Sequence, residues 1–164
     1  MENENSINIL LVDDEVKFLQ TISERLSLKG FNVTTAASGD DAIKAAEKGR
    51  FDVAVVDLQM PGMDGAQLLK ILKQNHKFLE IIMLTGHATL DSAVECTKLG
   101  AFKYLEKPYE FNRLVDILLE AFQARMQKKF EHNQKRIDEM QKLSMGLSPL
   151  GLMRALASMD DGEK

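Results

Sequence analysis

The chain has 164 residues, 45% of them hydrophobic, a formal net charge of −4 and one cysteine, Cys96. That length allows one domain of ordinary size plus an extension; the charge gives no electrostatic pull toward nucleic acid, and a lone cysteine excludes an internal disulfide and fits a reducing compartment. Residues 1–8 are polar and acidic, unlike a signal peptide, and no apolar run approaches the roughly 20 residues that cross a bilayer, so a soluble cytoplasmic protein is expected.

In chain order, Ile7, Ile9, Leu10, Leu11 and Val12 form a short apolar run that stops at Asp13-Asp14-Glu15. This reads as a buried strand whose end carries adjacent carboxylates. A helix follows, with Val16, Leu19, Ile22 and Leu26 at helical spacing, and Gly30 sits where a left-handed cap ends it. Phe31, Val33 and Thr35 alternate with smaller or polar residues and suggest a second strand. Ser38-Gly39-Asp40-Asp41 starts a short Ala-rich helix over 42–48, closed by Gly49.

Residues 52–57 are mostly β-branched or small and apolar and end in Asp57; Pro61, Gly62 and Gly65 punctuate the turn beyond. Near-continuous apolarity marks a strand covered on both faces. A carboxylate inside such a core is too costly, so Asp57 belongs at the strand's carboxyl end, where open α/β sheets bind ligands. A helix over about 66–75 presents Leu68, Leu69 and Leu72. Ile81 to Leu84 form a fourth strand ending at Thr85-Gly86, and 90–99 a fourth helix stopped by Gly100. Residues 101–105 make a last strand before Glu106-Lys107-Pro108. Phe111, Leu114, Val115, Leu118 and Phe122 give the apolar face of a fifth helix. Strands alternating with helices and joined by right-handed crossovers give a parallel sheet with helices on both faces.

From Arg125 onward the composition turns polar, yet Met126, Phe130, Asn133, Ile137 and Met140 keep alternating steps of four and three, a short, impure heptad seam. The fifth helix is expected to run on to about Leu143 and to break at Gly146. Ser148-Pro149 reads as the start of a final short helix lined by Leu152, Met153, Leu156 and Met159. The extension admits three readings: a solvated helix, a dimer seam, or a docking segment. No helix-turn-helix module is expected after residue 123.

Parallel pairing brings four strand ends together: Asp13 and Asp14, Asp57, Thr85, and Lys107. Two carboxylates about 4 Å apart repel by roughly 4 kcal/mol at an effective dielectric near 20, a cost relieved by a cation. Few oxygen ligands, with room for water, suit Mg²⁺. A hydroxyl and an ammonium beside them can hold phosphoryl oxygens. These features read Asp57 as a nucleophile that accepts a phosphoryl group.

Asp13-Asp14, Asp57 in Asp-Leu-Gln-Met-Pro-Gly-Met-Asp-Gly, Thr85-Gly86 and Tyr104-Leu105-Glu106-Lys107-Pro108 resemble the signature of two-component response-regulator receiver (CheY-like) domains over about residues 6–123. The segments 84–89 and 100–105 resemble receivers of NtrC-class regulators. The resemblance implies a flavodoxin-like (βα)5 fold with strand order 2-1-3-4-5, a receiver over 1–123 and a helical extension over 124–164. It implies that Asp57 takes its phosphoryl group from a sensor histidine kinase. Asp14, Asp57 and the backbone carbonyl of Gln59 would ligate Mg²⁺, with Asp13 acting largely through water. Thr85 and Lys107 would hold the phosphoryl oxygens, Gln59 would tune dephosphorylation, and Thr85 with Tyr104 would form the switch. A homodimer through the face made by the fourth helix, fifth strand and fifth helix, or through the C-terminal helix, is a possible consequence, as is an output protein of unknown identity. No direct contact with nucleic acid or membrane is expected.

Blander readings stand beside these. Asp13 and Asp14 also suit a helix N-terminus, Lys107 a solvated loop, Tyr104 an ordinary half-buried aromatic and Cys96 a core residue. Two rival functions are a pseudo-receiver adaptor that works without phosphate and an aspartyl-phosphate phosphohydrolase. The second fits poorly: haloacid-dehalogenase-type enzymes carry an Asp-x-Asp pattern on the first strand and a cap, and Asp13-Asp14-Glu15 lacks the pattern.

Overall fold

The structure, a computed structural model, describes residues 6–144 together with 150, 151, 153, 154 and 157. Five strands alternate with five helices: β1 Asn8–Val12, α1 Val16–Leu28, β2 Asn32–Ala36, α2 Gly39–Lys48, β3 Val53–Asp57, α3 Gly65–Asn75, β4 Glu80–Thr85, α4 Leu90–Lys98, β5 Lys103–Glu106 and α5 Phe111–Ser144. All pairings are parallel, in the order β2-β1-β3-β4-β5. This is the flavodoxin-like doubly wound sheet expected. Contacts divide the chain into two units, Met1–Arg125 and Met126–Lys164.

The first unit has two cores, one on each face of the sheet. Leu10, Val12, Ala54, Val56, Ile81 and Met83 face α2, α3 and α4, meeting Ala42, Ala46, Leu68, Leu69, Leu72 and Cys96. Ile9, Leu11, Val53, Val55, Ile82 and Leu84 face α1 and α5, meeting Leu19, Ile22, Leu26, Leu114, Leu118 and Ala121. Every residue of β3 and β4 is buried. A strand covered on both faces has no polar side to alternate with, which is why these two runs are so uniformly apolar. β2 lies at the sheet edge, and only Ala36 in it is fully buried.

Helix ends follow local chemistry. The Ser38 hydroxyl accepts the Asp41 N–H at 3.1 Å and caps α2. Asp64 and Gln67 form a reciprocal capping box at the start of α3. Gly30, at φ 96°, ends α1, with its N–H donated to the Ser27 carbonyl and that of Phe31 to Leu26. This left-handed turn seats Phe31 against the core.

Two expectations need correction. Val16 is 65% exposed, and the buried line of α1 is Leu19, Ile22 and Leu26; Val16 lies in the first turn, beside solvent-facing Asp14 and Glu15. β5 begins at Lys103, not residue 101, because Ala101 donates to the Cys96 carbonyl and completes the turn that closes α4. The apolar face expected of α5 packs on the core, Leu114 and Leu118 fully and Phe111, Val115 and Phe122 half-buried, and Ile117 and Ala121 join it.

In the second unit α5 continues to Ser144. Leu150, Gly151, Met153, Arg154 and Ala157 are helical; the rest of the expected final helix, including Ser148-Pro149, Leu152, Leu156 and Met159, and the break at Gly146 lie outside the described residues. Among the described residues no helix is long and apolar enough to cross a membrane.

Candidate functional site

β1 and β3 are neighbours in the sheet, with Val12 paired to Val56, so their carboxyl ends lie side by side. Asp57 is the last residue of β3, and Asp13 and Asp14 directly follow β1. One carboxylate oxygen from each of Asp13, Asp14 and Asp57 lies within 4.8 Å of the others. Asp13 is 1% and Asp57 7% exposed, whereas Asp14 faces solvent.

Each buried acid is held by its own backbone. Asp13 Oδ1 accepts the Glu15 N–H at 2.9 Å, and Asp57 Oδ1 accepts the Gln59 N–H at 3.1 Å. These bonds fix the direction of each carboxylate and leave Asp57 Oδ2 toward Lys107. The Lys107 ammonium donates to Asp13 Oδ2 at 2.9 Å and lies 3.6 Å from Asp57 Oδ2, an ion pair rather than a close hydrogen bond. The same ammonium sits 4.3 Å from the centre of the Phe18 ring, on α1. Lys107 follows β5 directly and its N–H donates to the Thr85 carbonyl at 2.7 Å, which ties the fifth strand end to the fourth.

Burial pushes the Asp57 carboxyl above its ordinary value of 3.8; the Gln59 N–H opposes this, the Asp13 charge adds to it, Lys107 opposes it and Asp14 adds to it. Burial pulls the Lys107 ammonium down, but its hydrogen bond to Asp13 and the charges of Asp13, Asp57 and Glu15 outweigh that and raise it above 10.5. Lys107 is therefore cationic. The stability its pairing contributes is present below the ordinary lysine value and is lost as pH rises through the higher, folded one.

One ammonium among three carboxylates leaves a local excess of negative charge, and every donor is a hard oxygen. The cluster is compatible in geometry and chemistry with a divalent cation. Because Asp57 binds a proton more readily folded than unfolded, ionising it costs stability above its raised value, and lowering the pH through that value relieves the cost. A cation competes with the same proton. Magnesium affinity measured by calorimetry is therefore expected to fall as pH drops through the raised value, and Asp57→Asn is expected to flatten that dependence; a pH-independent affinity in the native chain contradicts the assignment.

Thr85 ends β4 fully buried, and its hydroxyl accepts the His87 N–H at 3.1 Å. No hydrogen bond joins it to Asp57 among the described residues. Tyr104 sits one residue into β5, paired with Met83, half-buried against the α4 side of the sheet. Its hydroxyl lies 2.7 Å from the Ser92 hydroxyl. Ser92 also completes the capping box at the start of α4 with Thr89, so the ring is anchored to that helix's first turn. Gln59, two residues beyond Asp57, is exposed. Cys96 is buried, and burial with the Glu95 and Asp64 carboxylates raises its thiol above the ordinary value, so it is no nucleophile.

Sequence reasoning placed the acids and the lysine but missed three supports: Phe18 beneath the ammonium, Ser92 on Tyr104, and Gly65. A side chain on Gly65 would run into the Asp57 carbonyl and the Leu58 Cα, the latter at 2.6 Å. The Thr89-x-x-Ser92 spacing was a visible sign of a reciprocal cap; nothing in sequence tied it to Tyr104.

An acidic cluster at the carboxyl edge of a 2-1-3-4-5 sheet, with a lysine across it, is the site of phosphoaccepting response-regulator receivers, and the chain belongs to the response regulator receiver domain family, which it matches over residues 9–119. It is 38% identical over 120 residues to the DNA-binding transcriptional regulator NtrC of Klebsiella pneumoniae, covering 71% of this chain and 26% of that protein. The crystal structure of a CheY-like receiver domain protein from Methanospirillum hungatei superposes with a TM-score of 0.73 at 27% identity, covering 76% of this chain and 99% of that one. NtrX from Brucella abortus, solved with ATP, gives a TM-score of 0.74 at 29% identity over 79% of this chain and 30% of that one. The chain thus spans about a quarter of the length of the curated regulators it matches.

Proposed function

We propose that this chain receives a phosphoryl group from a sensor histidine kinase onto Asp57, with Mg²⁺ bound, and converts that event into a change of protein contacts. The supporting observation is the meeting of Asp13, Asp14, Asp57 and Lys107 at one sheet edge, with Asp57 the last residue of its strand and its Oδ2 3.6 Å from the ammonium. The receiver is assigned to residues 1–123 and the output role to 124–164.

In the transfer, an Asp57 carboxylate oxygen attacks phosphorus, a P–O bond forms and the P–N bond to the kinase histidine breaks. Water later cleaves the acyl phosphate and regenerates the carboxylate. The chain catalyses only these two steps on itself. Asp14, Asp57 and the Gln59 carbonyl would hold the ion, and Asp13, whose oxygens are already taken by Glu15 N–H and Lys107, would act through water. Bound Mg²⁺ supplies neutralising charge for the transferring oxygens. Lys107 leaves its long contact with Asp57 Oδ2 to pair with a phosphoryl oxygen, and the Thr85 hydroxyl donates to another. Gln59, exposed beside Asp57, screens water and sets the lifetime.

The switch follows from competition for Thr85. Moving its hydroxyl toward the phosphoryl group weakens the His87 contact and opens space on the α4 side, which Tyr104 enters once it releases Ser92. A ligand shifts such an equilibrium only through contacts that differ between the two states, and Thr85 and Lys107 supply them. The cytoplasm, where kinase and Mg²⁺ are available, is the setting this requires.

The test is mass spectrometry after incubation with acetyl phosphate and Mg²⁺. One phosphoryl group on the peptide bearing Asp57, absent in Asp57→Ala, is the expected result. No adduct at position 57, combined with unchanged binding and assembly in Asp57→Ala, would instead favour the adaptor reading.

A further inference from the structure

Tyr109 follows Lys107-Pro108, and its ring packs half-buried against the core that α1 and α5 share. Its hydroxyl oxygen is shielded from solvent and has no hydrogen-bond partner among the described residues. A buried polar atom left unpaired costs free energy that a phenylalanine in the same place would avoid. The ring lines a cavity of about 400 Å³ between α1 and the start of α5, whose wall also includes Phe18, Arg25, Lys107 and Phe111. None of these side chains offers an acceptor: Arg25, stacked at 3.9 Å on the Phe111 ring, and Lys107 only donate. The acceptor whose charge reaches the phenol is Asp13. Burial first and that carboxylate second push the phenol up to about 12, with Arg25 opposing, so the group keeps its proton and remains a donor.

We propose that Tyr109 is a positioning residue whose hydroxyl takes over Asp13 when Lys107 leaves it, and so favours the phosphoryl-bearing state over the resting one. The proposal rests on the phosphoacceptor reading of the site. At rest Asp13 is 1% exposed and both of its oxygens are held, Oδ1 by the Glu15 N–H at 2.9 Å and Oδ2 by the Lys107 ammonium at 2.9 Å. The hydroxyl is then the group without a partner. Once Lys107 turns to a phosphoryl oxygen, a buried carboxylate oxygen loses its donor, a cost that would hold the lysine back. A charge-assisted bond from the Tyr109 hydroxyl to Asp13 Oδ2 offsets that loss and ends the hydroxyl's own isolation. Lys107 and Tyr109 belong to one short segment and line one cavity, so the ring has space in which to follow the lysine. Only contacts that differ between two states shift their balance, and this bond belongs to one of them.

The test begins with melting curves of the full chain without metal, for Tyr109→Phe, Lys107→Met and the double variant, with circular dichroism to check folding. Tyr109→Phe alone is expected to raise the melting temperature by about 2 °C, because it deletes an unpaired polar atom. In Lys107→Met the ammonium is gone from Asp13 at rest, so the hydroxyl bonds there and the same tyrosine substitution should lower the melting temperature by about as much. A merely structural ring would shift both backgrounds in the same direction, and that result overturns the proposal. So does a loss of stability from Tyr109→Phe in the native background, where the hydroxyl would already have a partner.

The second measurement needs no lysine variant. Beryllofluoride, a phosphoryl analogue, is titrated calorimetrically into the chain at saturating Mg²⁺. Tyr109→Phe should weaken its binding by about tenfold, and equal affinity in the two proteins overturns the link to the phosphoryl-bearing state. A native chain that binds no beryllofluoride overturns the phosphoacceptor reading and this proposal with it, while a melting cycle that still reverses sign would retain the contact between Tyr109 and Asp13.

Discussion

Asp57→Asn is expected to abolish phosphoryl uptake and, without metal, to raise the melting temperature. The first effect is complete because no other carboxylate has its position: Asp13 is tied at both oxygens and Asp14 is exposed beside it. The second follows from the causes of its raised pKa. Burial is the largest, and the charges of Asp13 and Asp14 add to it. An amide of the same shape still accepts the Gln59 N–H, buries no charge and ends the repulsion from two acids. Its loss is the contact with Lys107 at 3.6 Å, which retains Asp13 at 2.9 Å. Both effects favour the amide, and a gain of even about 1 kcal/mol corresponds to about 4 °C for a domain of this size. Magnesium should reverse the order, because a ligand stabilises the state that binds it and the variant keeps fewer anionic ligands. Melting curves of both proteins with and without Mg²⁺ check this. A metal-free variant that melts below the native chain means that the acids are not in conflict.

The same physics explains what the sequence could and could not show. Strand ends were legible because a buried parallel strand admits almost nothing polar, so the first carboxylate after an apolar run marks the sheet edge. That placed Asp13 and Asp57 at strand ends, and Thr85 and Lys107 followed from standing directly after or at the end of their own apolar runs. The ends of α1 and α4 were legible through Gly30 and Gly100, since a left-handed residue is needed there. Amphipathic helix faces were less so. Val16 has helical spacing with Leu19 yet stands in water, because spacing fixes a face and not how far along it the core extends. Ile117 and Ala121 went unnamed because α5 buries a stripe wider than its largest side chains suggest. Contacts between elements were the least visible. Phe18 under Lys107 and Ser92 on Tyr104 join residues far apart in the chain and carry no local pattern.

Gly65→Ala is expected to damage both the fold and the site, through backbone rather than charge. Gly65 opens α3 and its N–H donates to the Leu58 carbonyl at 3.0 Å, so the helix start lies against the strand end that bears Asp57. An added Cβ would meet the Asp57 carbonyl, the Leu58 Cα at 2.6 Å and the Met83 Cε at 3.0 Å. A flexible methionine can yield, but the first two are main chain and can move only if β3 or α3 moves. β3 lies between β1 and β4 and every residue in it is buried, so the helix start gives way first. Overpacking of this kind costs about 1–3 kcal/mol. The larger effect should be on chemistry. The Gln59 N–H that orients Asp57 lies in the same β3–α3 turn, and misplacing a reacting group by about 1 Å can cost on the order of a hundredfold in rate. The expected result is a folded chain with a lower denaturation midpoint and a rate of phosphorylation by acetyl phosphate reduced by one to two orders of magnitude. The control is Gly62→Ala: Gly62 is in the same loop, at φ 81° and with open space around it. There the substitution strains only the local backbone, costing about 1 kcal/mol, and the rate should stay closer to native. Equal rate losses in the two variants would mean that loop strain, and not the close approach of α3 to β3, controls the nucleophile.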